Sequence, residues 1–355
     1  MNQQLSSLLK NPASFLTDSA AGDGICISSR IRLSRNLEGR PFPTAAGAES
    51  SGEIVNEIKA ACRNSGAVNC PEYFFWEIAS LDELERQFLL ERRLASSELI
   101  NSGIAAALAV SGDEHCSVMI NEEDHLRMQA LYPGFQLAEC WEKVSHIDDE
   151  LGAQLPFAWS DELGYLTACP TNVGTGMRAS VMLHLPGLVI SDQIAATVHG
   201  IGKLGMAVRG IFGEGSDNAG RLFQISNQIT LGEREESIIE QLSAVINQLV
   251  EYERRARHVL LEKDRFALLD HVGRSFGLLQ NSYKLPVAEA VEALSAVRLG
   301  VDLGLFQHLT INTVNELFLE LNPGHLQMRS GLALPEDEQS VLRAKLFRTR
   351  LRERG

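Results

Sequence analysis

The stretch "RASVMLHLP", residues 178–186, alternates between two classes of side chain along its length. The apolar class comprises Ala179, Val181, Leu183 and Leu185. The other class comprises Arg178, Ser180, Met182 and His184. Because successive side chains of an extended chain point to opposite sides, this pattern predicts a β-strand with one apolar face.

Similar short stretches surround it between Ile25 and Ile229 and also predict strands. They are "GICISSRIRLSRNL" (24–37), "HCSVMIN" (115–121), "LGYLTACP" (163–170), "MAVRGIFG" (206–213) and "RLFQISNQITLG" (221–232). Helical spacing of apolar residues appears between them in "SGEIVNEIKAACRN" (51–64) and "SLDELERQFLLERRL" (80–94). The sequence thus predicts a mixed domain of sheet and helices.

The sequence pattern changes after Gly232, where apolar residues recur at helical spacing with almost no helix-breaking residues between them. This predicts an all-helical tail with turns near "NSYKLP" (281–286) and "NPGH" (322–325). We therefore predict an N-terminal segment over 1–23, a catalytic domain over 24–256 and a helical C-terminal domain over 257–355.

Composition and charge exclude several classes of protein. The 355 residues are 45% hydrophobic and 22% charged, which is typical of a globular chain. A net charge of -14 argues against nucleic acid as a direct partner, since neutralising phosphates takes a basic surface. There is no apolar run long enough for a membrane span and no signal-peptide pattern at the start, so we expect a cytoplasmic protein. The six cysteines are scattered singly, which predicts free thiols and neither a disulfide framework nor a zinc site.

Arginines fall at repeated positions on the predicted strands. Arg30 and Arg32 share one side of a strand, and Arg127, Arg178 and Arg209 lie at or beside strand ends. Each one alone would be explained by pairing with a nearby Asp or Glu. Five in similar settings favour a shared polyphosphate, because guanidinium forks match phosphate oxygens.

Three further stretches could belong to a functional site, but each one alone also has a simpler structural explanation. "NEEDHLRMQ" (121–129) is either a solvated turn or a site that needs carboxylates. "CPTNVGTGMRASV" (169–181) has glycines that permit a tight backbone approach, but turns often contain two glycines. "RGIFGEGS" (209–216) places Glu214 among glycines, where a solvated side chain is the simpler explanation.

Together and in this order, "SSRIRLSRN" (28–36) and these three stretches closely resemble the signature segments of the ATP:guanidino phosphotransferases, the creatine and arginine kinases. The resemblance covers roughly residues 24 to 255 and implies an α+β fold, a phosphagen-kinase-like (glutamine-synthetase-like) antiparallel sheet flanked by helices. Creatine-kinase-like members carry about a hundred residues of helical domain before this segment, whereas 27 residues precede it here. With "ISNQITLG" (225–232) and "SAVRLGVDLGL" (295–305), that layout is similar to the bacterial protein-arginine kinases.

The resemblance implies roles for individual residues. A guanidinium has a pKa above about 12, so its nitrogen needs a carboxylate that holds it and accepts a proton during attack. Glu123 matches the family's catalytic carboxylate, Glu214 the one that grips the guanidinium, and Cys169 the reactive cysteine. Magnesium bridges the phosphates of ATP in this family, and we predict no dedicated metal ligands in the protein. The implied nucleotide ligands are Ser28, Ser29, Arg30, Ile31, Arg32, Arg93, Arg127, Arg178, Ala179, Ser180, Val181, Met182, Arg209, Gly210, Ile211, Phe212 and Gly213.

Two positions depart from the pattern of the protein-arginine kinases or are ambiguous within it. Arg93 stands where those sequences usually have a histidine that contacts the nucleotide, and it could still face a phosphate or stack on adenine. His125 matches a residue close to the nucleotide, but a lone histidine is more often structural.

The C-terminal domain of these kinases carries an Arg-Asp-x-x-Arg-Ala motif that forms a phosphoarginine pocket. The matching residues here are Gln339, Ser340, Arg343 and Ala344, in "QSVLRA". Because one guanidinium and the carboxylate are replaced, we predict weak or no phosphoarginine binding, with Arg343 on a solvated helix face.

The implied function is ATP-dependent phosphorylation of arginine side chains in proteins, which marks clients for a bacterial Clp protease. A zinc-finger activator protein and a homodimer formed through the C-terminal domain are implied with it. Two alternatives are a kinase of free arginine or another small guanidino compound, and a catalytically inactive nucleotide-binding adaptor. Intact Glu123 and Glu214 with all five arginines argue against the adaptor.

Overall fold

The computed structural model describes residues 3–17, 24–68, 73–210 and 219–352. Eight of its strands form one sheet and two form a small hairpin. The strands are β1 (Cys26–Arg35), β2 (Tyr73–Glu77), β3 (Ala107–Ser111), β4 (Cys116–Ile120), β5 (Leu126–Pro133), β6 (Trp159–Ser160), β7 (Gly164–Tyr165), β8 (Met177–His184), β9 (Met206–Gly210) and β10 (Leu222–Asn227). The sheet order is β2-β3-β4-β5-β1-β8-β10-β9, and every neighbouring pair is antiparallel.

The helices fall into two groups, before and after the last strand. The first group is α1 (Gln3–Lys10), α2 (Ala48–Asn64), α3 (Glu83–Glu91), α4 (Ser97–Ile100), α5 (Leu137–Gly152), α6 (Pro186–Ile190) and α7 (Ile194–Lys203). The second group is α8 (Glu235–Lys263), α9 (Arg265–Asn281), α10 (Val287–Asp302), α11 (Ile311–Glu320), α12 (Pro323–Ser330) and α13 (Glu336–Arg352). The predicted domain boundary after residue 256 lies inside α8, and it stays a prediction.

One face of the sheet is covered by α2, α5 and α8. The alternation read from the sequence produces this face, because Ile31, Leu33, Ala179, Val181 and Leu183 all point into the same core and are fully buried. Apolar residues of the three helices complete that core, among them Ile58, Val144, Ile147, Leu242 and Ile246. The neighbouring strand residues, one position along, must then point to the opposite face.

The helical tail packs back onto the sheet domain. Glu91, at the end of α3, accepts hydrogen bonds from the backbone N–H groups of Gly324 (2.7 Å) and His325 (2.9 Å) at the start of α12. At the end of β8, His184 contacts Ser295 of α10, with 2.9 Å between Nε2 and Oγ. These buried polar contacts hold the two parts of the chain in one arrangement.

The predicted fold class is confirmed, with two differences in detail. "LGYLTACP" forms only the two residues of β7, and β2 and β3 were not predicted. No stretch was predicted as β5 either, although Arg127 was placed at or beside a strand end. All five residues of β3 are buried, so that strand lacks the alternation that makes a half-exposed strand visible in a sequence. Among the described residues, none of the helices is long and apolar enough to cross a membrane.

Candidate active site

The turn between β4 and β5 contains "NEEDH", residues 121–125, and the structure gives each of its side chains a different role. Glu122 is buried and forms an ion pair with Arg127. Its Oε1 also accepts a hydrogen bond from Ser96 Oγ at 2.5 Å. His125 is enclosed, its Nδ1 accepting from the Leu37 N–H (3.0 Å) and its Nε2 lying 2.9 Å from the Pro41 carbonyl oxygen. Its role is therefore structural.

Glu123 is the exception in this turn. Its backbone N–H is fixed by Glu122 Oε2 at 2.8 Å, but no described residue donates a hydrogen bond to its half-buried carboxylate. Burial raises the pKa of Glu123, nearby Arg127 opposes the rise, and Asp124 adds to it. A carboxylate held in place but lacking a donor is suited to take one from a substrate.

Asp124 joins this turn to the loop that carries Cys169. Its Oδ1 accepts hydrogen bonds from Asn36 Nδ2 (2.6 Å) and from the Ala168 N–H (2.7 Å). Asn36 also donates to the Leu166 carbonyl (3.0 Å). These buried hydrogen bonds, which we call the Asp124 clasp, join the two segments. Cys169 directly follows Ala168, so the clasp brings it near the turn that carries Glu123.

The Cys169 loop is close-packed against its surroundings. The Cys169 thiol is partly exposed, with 3.0 Å from its Sγ to Thr171 Oγ1. At Gly174, φ is +110° and a Cβ would lie 2.5 Å from the Thr230 carbonyl oxygen. Gly176 has φ +65°, and a Cβ there would lie 2.6 Å from the Ser34 carbonyl oxygen. The glycines of this loop thus permit a tight approach, although to the protein's own backbone.

The predicted arginines lie side by side on the face opposite the core. Arg32 on β1 is directly across from Arg178 on β8, and Ser34 on β1 is across from Arg127 on β5. Arg209 on β9 is across from Gln224 on β10. Directly opposed residues share a face of the sheet, so four strands contribute to one basic surface.

The charges of this surface are largely uncompensated. Only Arg127 forms an ion pair with a described Asp or Glu, while Arg30 donates to Gln224 (3.1 Å) and Arg178 to Ser226 (3.2 Å). The Nε atoms of Arg32, Arg127 and Arg178 are buried and have no partner among the described atoms. Unpaired buried donors are costly, so these side chains indicate a site for an anion.

The pKa values of the arginines agree with this picture. Burial, and then the positive charges of Arg93, Arg127 and Arg178, lower the pKa of Arg30 to about 9. Burial and the same kind of repulsion lower the pKa of Arg32 well below its usual range, and burial lowers that of Arg93 to about 10. A bound polyanion would relieve this repulsion.

The arginines open into a cavity of about 1190 Å³. Arg30, Arg32, Arg93, Arg209 and Gly210 line it. Arg93 has the left-handed φ of +61°, and its guanidinium lies over the Phe15 ring, 5.5 Å from the ring centroid. Arg127 and Arg178 lie beyond this lining, towards Glu123 and Cys169, since their charges act on one another and on those two groups.

Several predicted nucleotide ligands are not positioned to use their side chains. Ser29, Ile31, Ala179 and Val181 point to the core face, because they alternate with residues that point to the cavity. Ser29 instead donates to the Gly134 carbonyl (2.9 Å). Ser28, Ser180 and Met182 do lie on the arginine face, and Met182 lines the cavity. Ile211, Phe212, Gly213 and Glu214 lie outside the described residues.

The sequence prediction missed three residues that support the arginines. Gln224 and Ser226 contact Arg30 and Arg178, and Glu122 pairs with Arg127. The alternation of Gln224, Ile225 and Ser226 on β10 was the available signal, because Gln224 and Ser226 face the same side as the arginines.

The solvated helix face predicted for Arg343 is wrong. Arg343 is buried, donating from Nε to the Leu321 carbonyl (2.7 Å) and from NH1 to the Leu285 carbonyl (2.9 Å). Ser340 and Ala344 are buried beside it, and Gln339 donates to the Leu334 carbonyl (2.7 Å). The physical reason is that α13 packs its Arg343 face onto the ends of two other segments, whose carbonyls need donors.

Two family models match successive parts of this chain. The ATP:guanido phosphotransferase C-terminal catalytic domain matches residues 53–256, and the protein-arginine kinase McsB C-terminal domain matches residues 265–354. The protein-arginine kinase of Halothermothrix orenii is 43% identical over 335 residues, which are 93% of this chain and 95% of that protein. The chain belongs to the protein-arginine kinase family.

Other members and more distant structures agree with this assignment. The protein-arginine kinases of Halalkalibacterium halodurans and Bacillus subtilis (strain 168) are 46% and 42% identical, covering 92% and 96% of this chain and 92% and 93% of their own. Lombricine kinase has a TM-score of 0.58 at 22% identity, covering 69% of this chain and 70% of that chain. The duplicated taurocyamine kinase from Schistosoma mansoni with bound transition state analog components has a TM-score of 0.58 at 24% identity, covering 78% of this chain and 40% of that chain. These two structures show the shared fold.

Within the part of the chain that is described, no group of three or more His, Cys, Asp or Glu residues is placed to hold a metal ion.

Proposed function

We propose that this member of the family transfers the γ-phosphoryl group of ATP to arginine side chains of other proteins. The observation that carries the proposal is that, within the described structure, one site contains both a carboxylate that lacks hydrogen-bond donors and arginines that, except for Arg127, lack anionic partners. Among the described residues, Glu123 is a carboxylate without a donor, and the adjacent arginines are donors with a single carboxylate partner. A guanidinium substrate supplies what Glu123 lacks, and a polyphosphate supplies what the arginines lack.

The arginines would bind and orient the nucleotide. ATP would supply the phosphoryl group, and the Mg²⁺ bound with it would neutralise part of the charge that develops during transfer. Arg30, Arg32, Arg93 and Arg209 line the cavity where the polyphosphate would lie, and Arg127 and Arg178 continue the row towards Glu123. Their fixed positive charges stabilise the transferring group and the leaving ADP without further reorganisation.

Glu123 would act at the other end of the transfer. It holds the substrate guanidinium in line and accepts a proton from the attacking nitrogen as the N–P bond forms and the P–O bond to ADP breaks. We assign Glu214 to the second grip on the guanidinium, by its match to the family pattern. We propose that the Cys169 thiol contacts the same group, which is supported by the hydrogen bond from the neighbouring Ala168 N–H to Asp124.

One assay separates this function from its alternatives. The full-length chain is incubated with Mg·ATP, an arginine-containing protein and free arginine, and acid-labile phosphate is located in each fraction. Phosphate on the protein supports the proposal. Phosphate only on free arginine indicates a small-guanidine kinase, and ATP binding without transfer indicates an adaptor.

The finer biological setting is also a proposal and rests on the family alone. We propose that phosphoarginine made by this chain marks clients for a Clp protease, with a zinc-finger protein as activator. We propose a homodimer through the helical C-terminal region, where Phe266 and Tyr283 are 86% and 77% exposed. Light scattering at several protein concentrations would test the dimer, and a monomer at all of them would exclude it.

A further inference from the structure

The arginine-lined cavity has two chemically different ends. Apart from the arginines, much of its lining is apolar and comprises Phe15, Leu16, Ile27, Met182, Leu222, Phe318 and Leu319. Met182 lies four residues along β8 from Arg178, a separation of about 14 Å in an extended strand. The apolar end therefore lies well away from the transfer end, at a distance that suits the nucleoside half of a nucleoside triphosphate.

Part of this apolar end belongs to the C-terminal helices. Asn315, Phe318, Leu319 and Asn322 all line the cavity, and all lie on α11 or directly after it. Their spacing of three, four and seven residues places them on one face of the helix. One face of the helical tail thus forms a wall of the cavity.

Asn315 is the buried polar side chain on that wall. It is 9% exposed, and its Oδ1 accepts a hydrogen bond from Arg298 Nε at 3.0 Å. Because a guanidinium has donors and no acceptor, the oxygen of the Asn315 amide must face Arg298. The amide nitrogen then faces the other way, and no residue in the described ranges accepts a hydrogen bond from it.

Arg298 is itself held firmly, so the orientation of Asn315 is set in advance. Its NH1 donates to the Gly24 carbonyl (2.7 Å), lies 3.0 Å from His184 Nδ1, and pairs with Asp302 at 3.3 Å. His184 ends β8, the strand that carries Arg178 and Met182. One buried network therefore links the arginine strand, α10 and the side chain on α11.

We propose that the C-terminal region completes the nucleotide site, with the Asn315 amide nitrogen donating a hydrogen bond to the nucleoside half of the bound nucleotide. The inference rests on the proposed function, because it takes the arginines as the phosphate end. It adds a consequence for regulation. Any partner or ligand that shifts α11 must change nucleotide affinity, and by linkage the nucleotide must change affinity for that partner by the same factor.

The test compares two ligands on full-length variants. Asn315→Asp keeps an oxygen for Arg298 and removes the donor, and Asn312→Asp adds the same charge on the same helix at a residue that does not line the cavity. Calorimetry with ATP and with inorganic tripolyphosphate then separates the nucleoside from the phosphates. We expect Asn315→Asp to weaken ATP binding about 5-fold or more while leaving tripolyphosphate binding within about 2-fold, and Asn312→Asp to leave both unchanged.

Asn315→Ala, with folding checked by thermal unfolding, should repeat the pattern if the aspartate variant does not fold. Unchanged ATP affinity in a folded Asn315 variant overturns the inference, and so does an equal loss for both ligands or an equal effect of Asn312→Asp. A different result would contradict the proposed function itself. If the wild-type chain binds neither ATP nor tripolyphosphate, both the proposed function and this inference are wrong.

Discussion

At the scale of single residues, three adjacent carboxylates in one turn differ in their hydrogen-bond partners. Glu122 neutralises Arg127, Asp124 accepts hydrogen bonds from Asn36 and Ala168, and Glu123 has no donor within the described structure. The three residues differ because their side chains point in different directions from the turn and so meet different neighbours. Glu123 is therefore the carboxylate to test first.

We predict that Glu123→Gln keeps the fold and ATP affinity but lowers kcat by roughly 10²- to 10⁴-fold, the usual contribution of a general base. The amide preserves the shape and cannot take the proton. Glu139→Gln, on the exposed side of α5, is the matched control and should keep full activity. The measurement is initial-rate phosphorylation of an arginine-containing protein, and near-normal turnover by the Glu123 variant would rule out the proposed base.

The pH dependence of the reaction provides a second check on Glu123. A base must be ionised, so kcat/KM should fall as the pH drops through the pKa of Glu123 in the free enzyme. Burial raises that pKa, so the acid limb should lie above the ordinary range of a glutamate. A bound guanidinium stabilises the carboxylate, so the limb of kcat should lie at lower pH than that of kcat/KM. Coincident limbs in the ordinary glutamate range would contradict this assignment.

At the scale of elements, the site depends on strand register and on one tight loop. Arg32 faces Arg178 because β1 and β8 pair in one register, and a slip of β1 by one residue would turn Arg32 towards the core. The loop before β8 is held at Gly174 and Gly176, where the backbone approaches Thr230 and Ser34. These contacts fix where β8 begins.

We predict that Gly174→Ala destabilises the protein by about 1–3 kcal/mol, because φ is left-handed and the new Cβ has no room. Gly52→Ala is the matched control, in the interior of α2 with open space around its Cα. That change should stabilise by about 0.5–1 kcal/mol through the better helix propensity of alanine. Chemical denaturation of both variants measures the difference, and equal effects would mean that the loop tolerates a side chain.

At the scale of the whole molecule, the helical tail is joined to the catalytic part by buried polar contacts. His184, Arg298 and Asn315 connect the end of β8 to the cavity wall, and Glu91 connects α3 to the start of α12. Arg343 holds α13 against the carbonyls of Leu321 and Leu285 within the tail. The tail is thus part of the same folded unit as the site.

We predict that Arg343→Ala lowers the free energy of unfolding by at least about 2 kcal/mol, since each hydrogen bond from a charged donor contributes about 1.5–3 kcal/mol. Lys345→Ala, at an exposed position two residues along α13, should stay within about 0.5 kcal/mol of wild type. Urea titration of the full chain measures both. If Arg343→Ala were as stable as Lys345→Ala, the buried contacts of Arg343 would not contribute to the free energy of unfolding.

The sequence by itself determined the strand that organises the sheet, the side of that strand on which the arginines lie, and the family. These conclusions follow from local alternation and from the order of short motifs, which need no knowledge of distant contacts. Only the tertiary structure decided that Glu123, unlike its neighbours, has no hydrogen-bond donor in the described part of the chain, that Arg343 is buried, and that Asn315 lines the cavity. Each of those outcomes depends on residues far apart in the chain, because burial and hydrogen-bond partners are set by packing between elements and leave no periodic trace in the sequence.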